Sequence, residues 1–178
     1  LSFRADRYVV KERYGAGSTG AGIGLTADEA QQHAGRLRHP IFQPYVEGTE
    51  VSVDLYVDAR GRVKGVVPRR RIRVVNGESH LSSTFRDGEL EQLCADMAVR
   101  LGVYGHALFQ LIRDGNGDWH VLECNARFGG ASTLSVAAGL DSFYWFLLEC
   151  RGADLDEVPF ERSGRELTLI RHAEDRIQ

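Results

Sequence analysis

Two turn signals, each placed between strands of alternating polarity, constrain the fold of this chain most strongly. Apolar residues occupy every second position after Glu50, which is the period of a half-buried β-strand. Turns are predicted at Asp58-Ala-Arg-Gly61 and at Asp114-Gly-Asn-Gly-Asp118, so each flanking pair of strands folds back on itself. The four strands of these two hairpins are predicted over 50–58, 63–67, 106–113 and 119–125.

Helical patterns alternate with these hairpins along the chain. The capping box Thr26-Ala-Asp-Glu29 begins a helix that we expect to reach Leu37, before Pro40. Apolar residues at steps of three and four from Leu90 to Leu101 predict a second helix over 88–101, and a third helical stretch over 132–151 is broken at Gly139. Further strands are predicted over 7–12, 41–46, 69–75 and 166–172. Hairpins interleaved with helices predict an α+β protein.

Composition excludes several classes of protein. The 178 residues are 43% hydrophobic and 26% charged, which fits one domain or one domain with two lobes and excludes a disordered tail. A net charge of −3 argues against a nucleic-acid-binding surface, and no apolar run approaches the roughly 18 residues that span a bilayer. We expect free, buried thiols in a reducing, cytoplasmic compartment, because the spacing of the cysteines fits no metal knuckle. The cysteines are Cys94, Cys124 and Cys150.

Counting back from the turn of the second hairpin brings three oxygen-bearing side chains together. If Asn116-Gly117 forms a two-residue turn, Gln110 faces Glu123 across the ladder. Asn125 then shares a face with Glu123, because side chains alternate along a strand. Three hard oxygen ligands on one wall predict a Mg²⁺ site that substrate phosphates complete, and a hydrogen-bonded polar trio is the alternative. The opposite face is expected to hold a packed core of Phe109, Leu111, Leu122 and Cys124.

A glycine-rich segment precedes the first predicted helix. It matches G-x-G-x-x-G over 15–20, but it lacks the immediate helix of a dinucleotide fold and the Gly-Lys-Ser/Thr of a P-loop. We interpret it as a flap whose backbone N–H groups lie over phosphates, and a mobile surface loop is the alternative. Lys11, one of only 2 lysines against 20 arginines, would place an ammonium group beside those phosphates. The flap residues are Gly17, Ser18, Thr19 and Gly20.

The segment 42–50 combines an apolar strand with a glycine and a carboxylate. A strand of this kind can bind a purine through its backbone, and Glu50 can bind a ribose. A plain strand–turn–strand connection is the alternative. The residues expected to contact the purine are Gln43, Pro44, Tyr45 and Val46.

A run of arginines, Arg69-Arg-Arg-Ile-Arg73, forms the most basic part of the sequence. On a strand, Arg69, Arg71 and Arg73 share one face, whereas Arg70 lies on the other. The run has no interleaved aromatic residues, so a polyphosphate or an acyl phosphate suits it better than RNA.

The order of these segments resembles that of the ATP-grasp superfamily over about residues 8–150. Within the superfamily, the sequence is most similar to the synthetase domains of the carbamoyl phosphate synthetase large subunit. There a glutamine is the first metal ligand and a Glu-x-Asn-x-Arg run follows, matched here by Gln110 and by Glu123-Cys-Asn-Ala-Arg127. The other segments that carry the resemblance are Val10-Lys11, the glycine-rich segment, Gln43-Pro-Tyr-Val-x-Gly-x-Glu50 and Arg69-Arg-Arg-Ile72.

The resemblance implies a fold with two lobes that clasp ATP. We expect a small lobe with the glycine-rich flap over 1–45 and a larger lobe with the metal site over 46–178. The N-terminal domain that precedes these lobes in the family is expected to be missing. The implied activity is that of an ATP-dependent carboxylate–amine ligase. ATP phosphorylates a carboxylate or bicarbonate, and an amine attacks the acyl phosphate.

The same resemblance assigns roles to individual residues. ATP and Mg²⁺, or Mn²⁺ in its place, are the implied cofactors, with Gln110, Glu123 and Asn125 as metal ligands. Arg127 and Arg71 would stabilise charge on the transferred phosphoryl group. The implied partners are a carboxylate substrate, an amine acceptor and the missing N-terminal domain. No nucleic acid or membrane is implied, and a homodimer is compatible with the family.

Two alternatives to an active ligase stay open at this point. A nucleotide-binding or assembly module would keep both lobes but lack turnover. An RNA-binding accessory domain is the weaker alternative, since it depends on the arginine run alone.

Overall fold

The computed structural model describes residues 3–14, 20–75 and 77–172. The chain divides into two compact units, Leu1–Glu47 and Gly48–Gln178. Each unit packs helix against antiparallel sheet, so the predicted α+β class is confirmed.

Three antiparallel strands and one helix make up the first unit. The strands β1 (Tyr8–Glu12), β2 (Gly22–Leu25) and β3 (Pro40–Pro44) lie in the order β2-β1-β3. Helix α1 (Ala27–Ala34) begins with the predicted capping box and ends at Gly35, earlier than expected. The core of the unit is formed by Tyr8, Val10, Ala30 and Ala34.

A six-stranded antiparallel sheet in the order β8-β7-β4-β5-β6-β9 forms the base of the second unit. Its strands are β4 (Gly48–Val57), β5 (Val63–Val75), β6 (Glu78–Thr84), β7 (Gly105–Asp114), β8 (Trp119–Asn125) and β9 (Thr168–Ile170). Strand β5 merges two predicted strands, because Pro68 lies opposite Val53 without ending the ladder. Strand β6 has no predicted counterpart, since its serine-rich sequence lacks alternating apolar residues.

The two faces of this sheet are covered by different helices. Helix α2 (Gly88–Arg100) packs on the predicted apolar face of β4, burying Leu90 and Cys94 against Val53 and Leu55. Helices α3 (Ser132–Ala137) and α4 (Ser142–Cys150) belong to the second layer. The core of that layer includes Tyr56, Val67, Leu140 and Trp145.

The predicted break at Gly139 separates α3 from α4. Gly139 has φ of +104°, a conformation that side chains of L-residues rarely adopt. A Cβ at this position would also overlap the carbonyl oxygen of Glu161. Both constraints explain why a glycine ends α3.

The cysteines differ from the prediction in their exposure. Cys94 is buried, and burial raises the pKa of its thiol to about 12. Cys124 and Cys150 are exposed, so the expectation of three buried thiols is wrong. In the described part of the chain, no helix is long and apolar enough to cross a membrane.

Candidate functional site

The hairpin that carries the predicted metal ligands turns over three residues rather than two. The Asp114 amide donates to Asp118 O at 3.0 Å, and the Gly117 amide donates to Asp114 O at 3.1 Å. The Asp114 carboxylate accepts hydrogen bonds from the amides of Asn116 and Asp118, which favours the wider loop. The predicted two-residue turn is therefore wrong.

A bulge in β8 compensates for the longer turn. Gln110 lies opposite Glu123, whereas the next residue of β7, Leu111, lies opposite Val121. Leu122 is thus an extra residue in β8. The longer turn shifts the strand register by one residue, and the bulge shifts it back by one. Gln110 therefore pairs with Glu123 as predicted, although the predicted turn does not form.

Beyond the bulge, the polar side chains lie on one face of the sheet. Asn125 Nδ2 donates a hydrogen bond to Glu123 Oε1 at 2.9 Å. Gln110, the ladder partner of Glu123, donates from Nε2 to Glu50 Oε1 at 2.9 Å. Glu123 is exposed and Gln110 is half-buried, so solvent and ligands can reach this face.

The expected core on the opposite face forms only in part. Phe109 and Leu111 of β7 are buried. Leu122 is half-buried and Cys124 is exposed, so both deviate from the prediction. The reason is the position of β8 at the edge of the six-stranded sheet, where fewer neighbours cover its residues.

Glu50 links two residues that the sequence assigned to separate roles. Its Oε1 accepts hydrogen bonds from Gln110 Nε2 and from the guanidinium of Arg71, with which it forms an ion pair. The Arg71 side chain is only 7% exposed and also donates to Gly77 O at 2.8 Å. Both of these contacts use Oε1 of Glu50, so neither Gln110 nor Arg71 binds Oε2.

Two polar atoms beside this ion pair are buried without a hydrogen-bond partner among the described residues. They are Arg71 Nε and Ser82 Oγ. Arg71 and Ser82 lie opposite each other on β5 and β6, so they point to the same face. An unpaired buried polar group costs about 1–3 kcal/mol, and proteins retain such groups where a ligand or ordered water completes them. Sequence reasoning missed Ser82 because β6 carried no strand signal.

Arg127 follows the metal-ligand strand directly. Its amide donates to Asn125 O at 2.8 Å, and its guanidinium donates to Phe128 O at 3.1 Å. The side chain is exposed. The arginine therefore lies close along the chain to Asn125 without a carboxylate partner among the described residues.

The predicted phosphate-binding residues of the first unit are described only in part. Lys11 lies on β1 opposite Ile41, half-buried, next to the strand end that leads into the glycine-rich segment. Gly17, Ser18 and Thr19 lie outside the described residues. The described end of the segment is fixed by the His33 ring, whose Nε2 donates to Gly20 O at 2.8 Å.

The predicted purine-binding segment lies at an edge of the first sheet. Among the described residues, strand β3 lies at the edge of this sheet and forms its ladder with β1 alone. The pairing continues past the strand, because the Tyr45 amide donates to Arg7 O at 2.9 Å. An open backbone edge is what hydrogen bonding to a purine requires. The residues concerned are Gln43, Pro44, Tyr45 and Val46.

A buried carboxylate that the sequence analysis did not single out lies further along β4, on the same face of the sheet as Glu50. Asp54 of β4 is fully buried and forms an ion pair with Arg69 at 2.6 Å, and Arg69 is 2% exposed. Arg69 therefore does not belong to an accessible basic patch, although it shares a face with Arg71. Asp54 continues the polar alternation of Glu50 in β4, but that pattern is the same for a buried and for a solvated carboxylate.

Asp54 is held in its charged form. Burial alone raises the pKa of this carboxyl, but the Arg69 charge opposes burial. Hydrogen bonds from His106, Ser132 and Ser135 act in the same direction as Arg69. Together they outweigh burial and hold the pKa of Asp54 well below its usual range.

The donor set on the polar face suits Mg²⁺ bound together with phosphates. Among the described residues, no group of three or more His, Cys, Asp and Glu could hold a metal ion by itself. The three predicted ligands instead offer one carboxylate, from Glu123, and two amide oxygens, from Gln110 and Asn125, beside the Glu50 carboxylate that already pairs with Arg71. Mg²⁺ takes oxygen ligands, uses few carboxylates and completes its shell with water and phosphate oxygens. The residues therefore fit Mg²⁺ when a nucleotide supplies the remaining ligands.

Comparisons with solved structures agree on the fold. The biotin carboxylase domain of Hydrogenobacter thermophilus 2-oxoglutarate carboxylase, in complex with MgADP, ADP and bicarbonate, matches with a TM-score of 0.72 and 16% identity over 91% of this chain. Campylobacter jejuni biotin carboxylase matches with a TM-score of 0.68 and 16% identity over 84%. Bacillus licheniformis L-amino acid ligase matches with a TM-score of 0.62 and 17% identity over 84%.

The match covers only part of each of these proteins. This chain spans 40%, 38% and 39% of the three solved chains, in the order given above. No curated protein matches its sequence. A family model described as ATP-grasp in the biosynthetic pathway with Ter operon matches residues 36–173, most of the chain. On this match and the shared fold, the chain belongs to the ATP-grasp family.

Proposed function

We propose that this chain is the ATP-binding region of a ligase that activates a carboxylate, or bicarbonate, as an acyl phosphate for attack by an amine. The observation that carries the proposal is the single polar face of the second unit. There Glu50 joins Gln110 to Arg71, Glu123 pairs with Asn125, and two buried polar atoms have no partner in the described part of the chain. Hard oxygens for a cation and unpaired donors for an anion suit a metal–phosphate ligand.

Gln110, Glu123 and Asn125 are the proposed metal ligands. When bound, Mg²⁺ neutralises charge on the β- and γ-phosphates of ATP. Glu123 supplies the only negative charge of the trio, so it contributes most to holding the cation. Asn125 donates to Glu123 through Nδ2, which leaves Oδ1 as its ligand atom.

Arg71 and Arg127 are proposed to stabilise the phosphoryl group during transfer. Phosphoryl transfer depends on positioning and on fixed positive charge. The guanidinium of Arg71 is held by Glu50 and Gly77, so it is oriented before substrate binds. No described residue accepts a hydrogen bond from Arg71 Nε, so this N–H is proposed to bind an anionic oxygen. Arg127 is exposed and can approach a bound phosphoryl oxygen.

In the first unit, the edge strand β3 is proposed to bind adenine through the backbone of 43–46. Within the second unit, Oε2 of Glu50 is proposed to accept a hydrogen bond from a ribose hydroxyl. Lys11 places an ammonium beside the phosphates, together with the backbone of the glycine-rich segment around Gly17, Ser18, Thr19 and Gly20.

The substrate class rests on the family rather than on a residue of this chain. The related structures include a complex with bicarbonate and an L-amino acid ligase, so both bicarbonate and organic carboxylates are candidates. Since this chain spans 40% of the first of these proteins, we propose that groups outside it help bind the carboxylate and amine.

Calorimetric titration with ATP tests the proposal, once with Mg²⁺ and once with EDTA. The proposal expects binding that Mg²⁺ strengthens. A second arm adds candidate carboxylates and amines and measures ADP. Substrate-dependent ADP formation supports a ligase, whereas binding without ADP formation supports a nucleotide-binding module. Absence of ATP binding would contradict both.

A further inference from the structure

The segment that follows β8 is tied to the protein interior through Ser132. The Gly129 amide donates to Ser132 Oγ at 2.8 Å, and Ser132 Oγ donates to Asp54 Oδ1 at 2.6 Å. Ser132 is 1% exposed, so water has little access to replace these bonds. A Cβ at Gly129 would lie 2.6 Å from Cδ2 of Leu108, which shows how closely the segment approaches β7. The backbone of Gly129 is therefore fixed to a buried carboxylate.

A second connection joins the same segment to Asp54 through aromatic stacking. The Phe128 ring stacks on His106 with centroids 3.9 Å apart and planes inclined by 15°, and Phe143 stacks on its other side at 3.9 Å. His106 Nε2 lies 3.1 Å from Asp54 Oδ1 and donates to it, because an ionised carboxylate only accepts. His106 Nδ1 is held at 2.9 Å by Ser142 Oγ. Both connections thus end on one oxygen atom.

The residues fixed in this way lie next to the proposed ligands. Asn125 ends β8, Arg127 follows two residues later, and Phe128 and Gly129 come immediately after. A ligand that is already in position loses less conformational freedom when its partner binds. Residues that hold metal ligands from behind typically change metal affinity or activity by about 10–100-fold when they are replaced.

We propose that Asp54 is a positioning residue, which acts through Ser132 and His106 to hold Asn125 and Arg127 ready for a metal–nucleotide ligand. This inference rests on the proposed function of the polar face. We call Asp54 with its partners Arg69, His106, Ser132 and Ser135 the buried cluster. The inference assigns this cluster a role in ligand binding in addition to its contribution to stability.

Two serines of α3 allow this role to be separated from stability. Ser132 and Ser135 each donate one hydrogen bond of 2.6 Å to the Asp54 carboxylate, and both are buried. Only Ser132 also accepts the amide hydrogen of Gly129. Replacement of either serine by alanine removes the same chemical group from the same carboxylate, but only one replacement releases the segment.

The experiment compares Ser132→Ala with Ser135→Ala. ATP affinity is measured by calorimetry with Mg²⁺ and with EDTA, and the ratio of the two affinities is the readout. We expect Ser132→Ala to reduce the Mg²⁺-dependent gain about tenfold. Ser135→Ala should change the gain less than twofold. Hydrogen exchange at the Gly129 amide, followed by NMR without ligand, should accelerate in Ser132→Ala only.

The possible results separate this inference from the function on which it rests. Equal gains in the two variants, while the wild-type protein keeps its Mg²⁺-dependent gain, would overturn the positioning role alone. A wild-type protein that gains no affinity from Mg²⁺ would overturn the proposed function, and the positioning role with it. Faster exchange at Gly129 in both variants would show that the whole cluster loosens, which also contradicts the inference.

Discussion

Arg71 of β5 forms an ion pair with Glu50 of β4, and the same carboxylate oxygen accepts a hydrogen bond from Gln110 of β7. Three strands are therefore connected through one oxygen atom on the polar face. Within the described residues, Arg71 Nε is buried without a partner, directly across the ladder from Ser82 Oγ, which also has none there. An unpaired donor beside a fixed positive charge is a favourable site for an anionic oxygen.

Ser82→Ala separates a cost in stability from a role in binding. Removal of an unpaired buried hydroxyl relieves a penalty of about 1–3 kcal/mol, so we expect the variant without ligand to be at least as stable as the wild type. ATP·Mg²⁺ should stabilise the variant less than the wild type if the hydroxyl contacts the ligand. Thermal unfolding with and without ATP·Mg²⁺ measures both effects.

Ser83→Ala is the matched control, because Ser83 is the next residue of β6 and points to the other face. Its stabilisation by ATP·Mg²⁺ should equal that of the wild type. A Ser82→Ala variant that loses stability without ligand would mean that the hydroxyl already has a partner, contrary to our account.

Lys11→Ala should weaken ATP binding while the first unit stays folded. The substitution removes a positive charge proposed to lie beside the phosphates, and Lys11 is only half-buried on β1. We expect a loss of about tenfold, equivalent to 1.4 kcal/mol of binding free energy. Lys11→Arg should recover part of the affinity, because it keeps the charge but changes the geometry of the donors. Calorimetry measures the affinities, and an unchanged affinity in Lys11→Ala would refute the assignment.

Asp54 should make stability depend on acid pH. Its pKa is lowered in the folded protein, so its stabilising effect is complete above the unfolded pKa of about 3.9 and is lost as pH falls below that value. Asp54→Asn should cost about 3–5 kcal/mol at pH 7, because Arg69 stays buried without its partner. The variant should lose less further stability than the wild type between pH 5 and pH 3 in urea unfolding.

Asp96→Asn serves as the control for this experiment, since Asp96 is exposed on α2. It removes one carboxylate without touching the buried cluster. We expect the free energy of unfolding of Asp96→Asn to depend on pH as that of the wild type does. If the free energy of unfolding of Asp54→Asn falls between pH 5 and pH 3 as steeply as that of this control, Asp54 is not the charged group that we assign.

Local patterns in the sequence predicted most of the fold. The capping box at Thr26 and the apolar spacing from Leu90 to Leu101 predicted α1 and α2, because both signals depend on neighbouring residues only. The alternation after Glu50 predicted β4 for the same reason. Strand β6 was missed, since its residues are ordered by pairing with β5 rather than by their own pattern.

The candidate site was predicted less completely, because its contacts join residues far apart in the chain. The pairing of Gln110 with Glu123 follows from local register, and even that depended on two compensating offsets. The contact between Glu50 and Arg71 could be predicted only by knowing that β4 and β5 are neighbours in the sheet and in which register they pair. Asp54 has no local signal that distinguishes a buried charge from a solvated one.

The most direct test of the proposed metal site compares Glu123→Ala with Asn125→Ala. Each ATP titration is carried out with Mg²⁺ and with EDTA. Glu123→Ala should abolish the Mg²⁺-dependent part of the affinity, because it removes the only anionic ligand of the trio. Asn125→Ala should reduce it less, since water can replace a neutral ligand. Equal, negligible effects of the two substitutions would show that the trio is a structural hydrogen-bonded group and would contradict the proposed function.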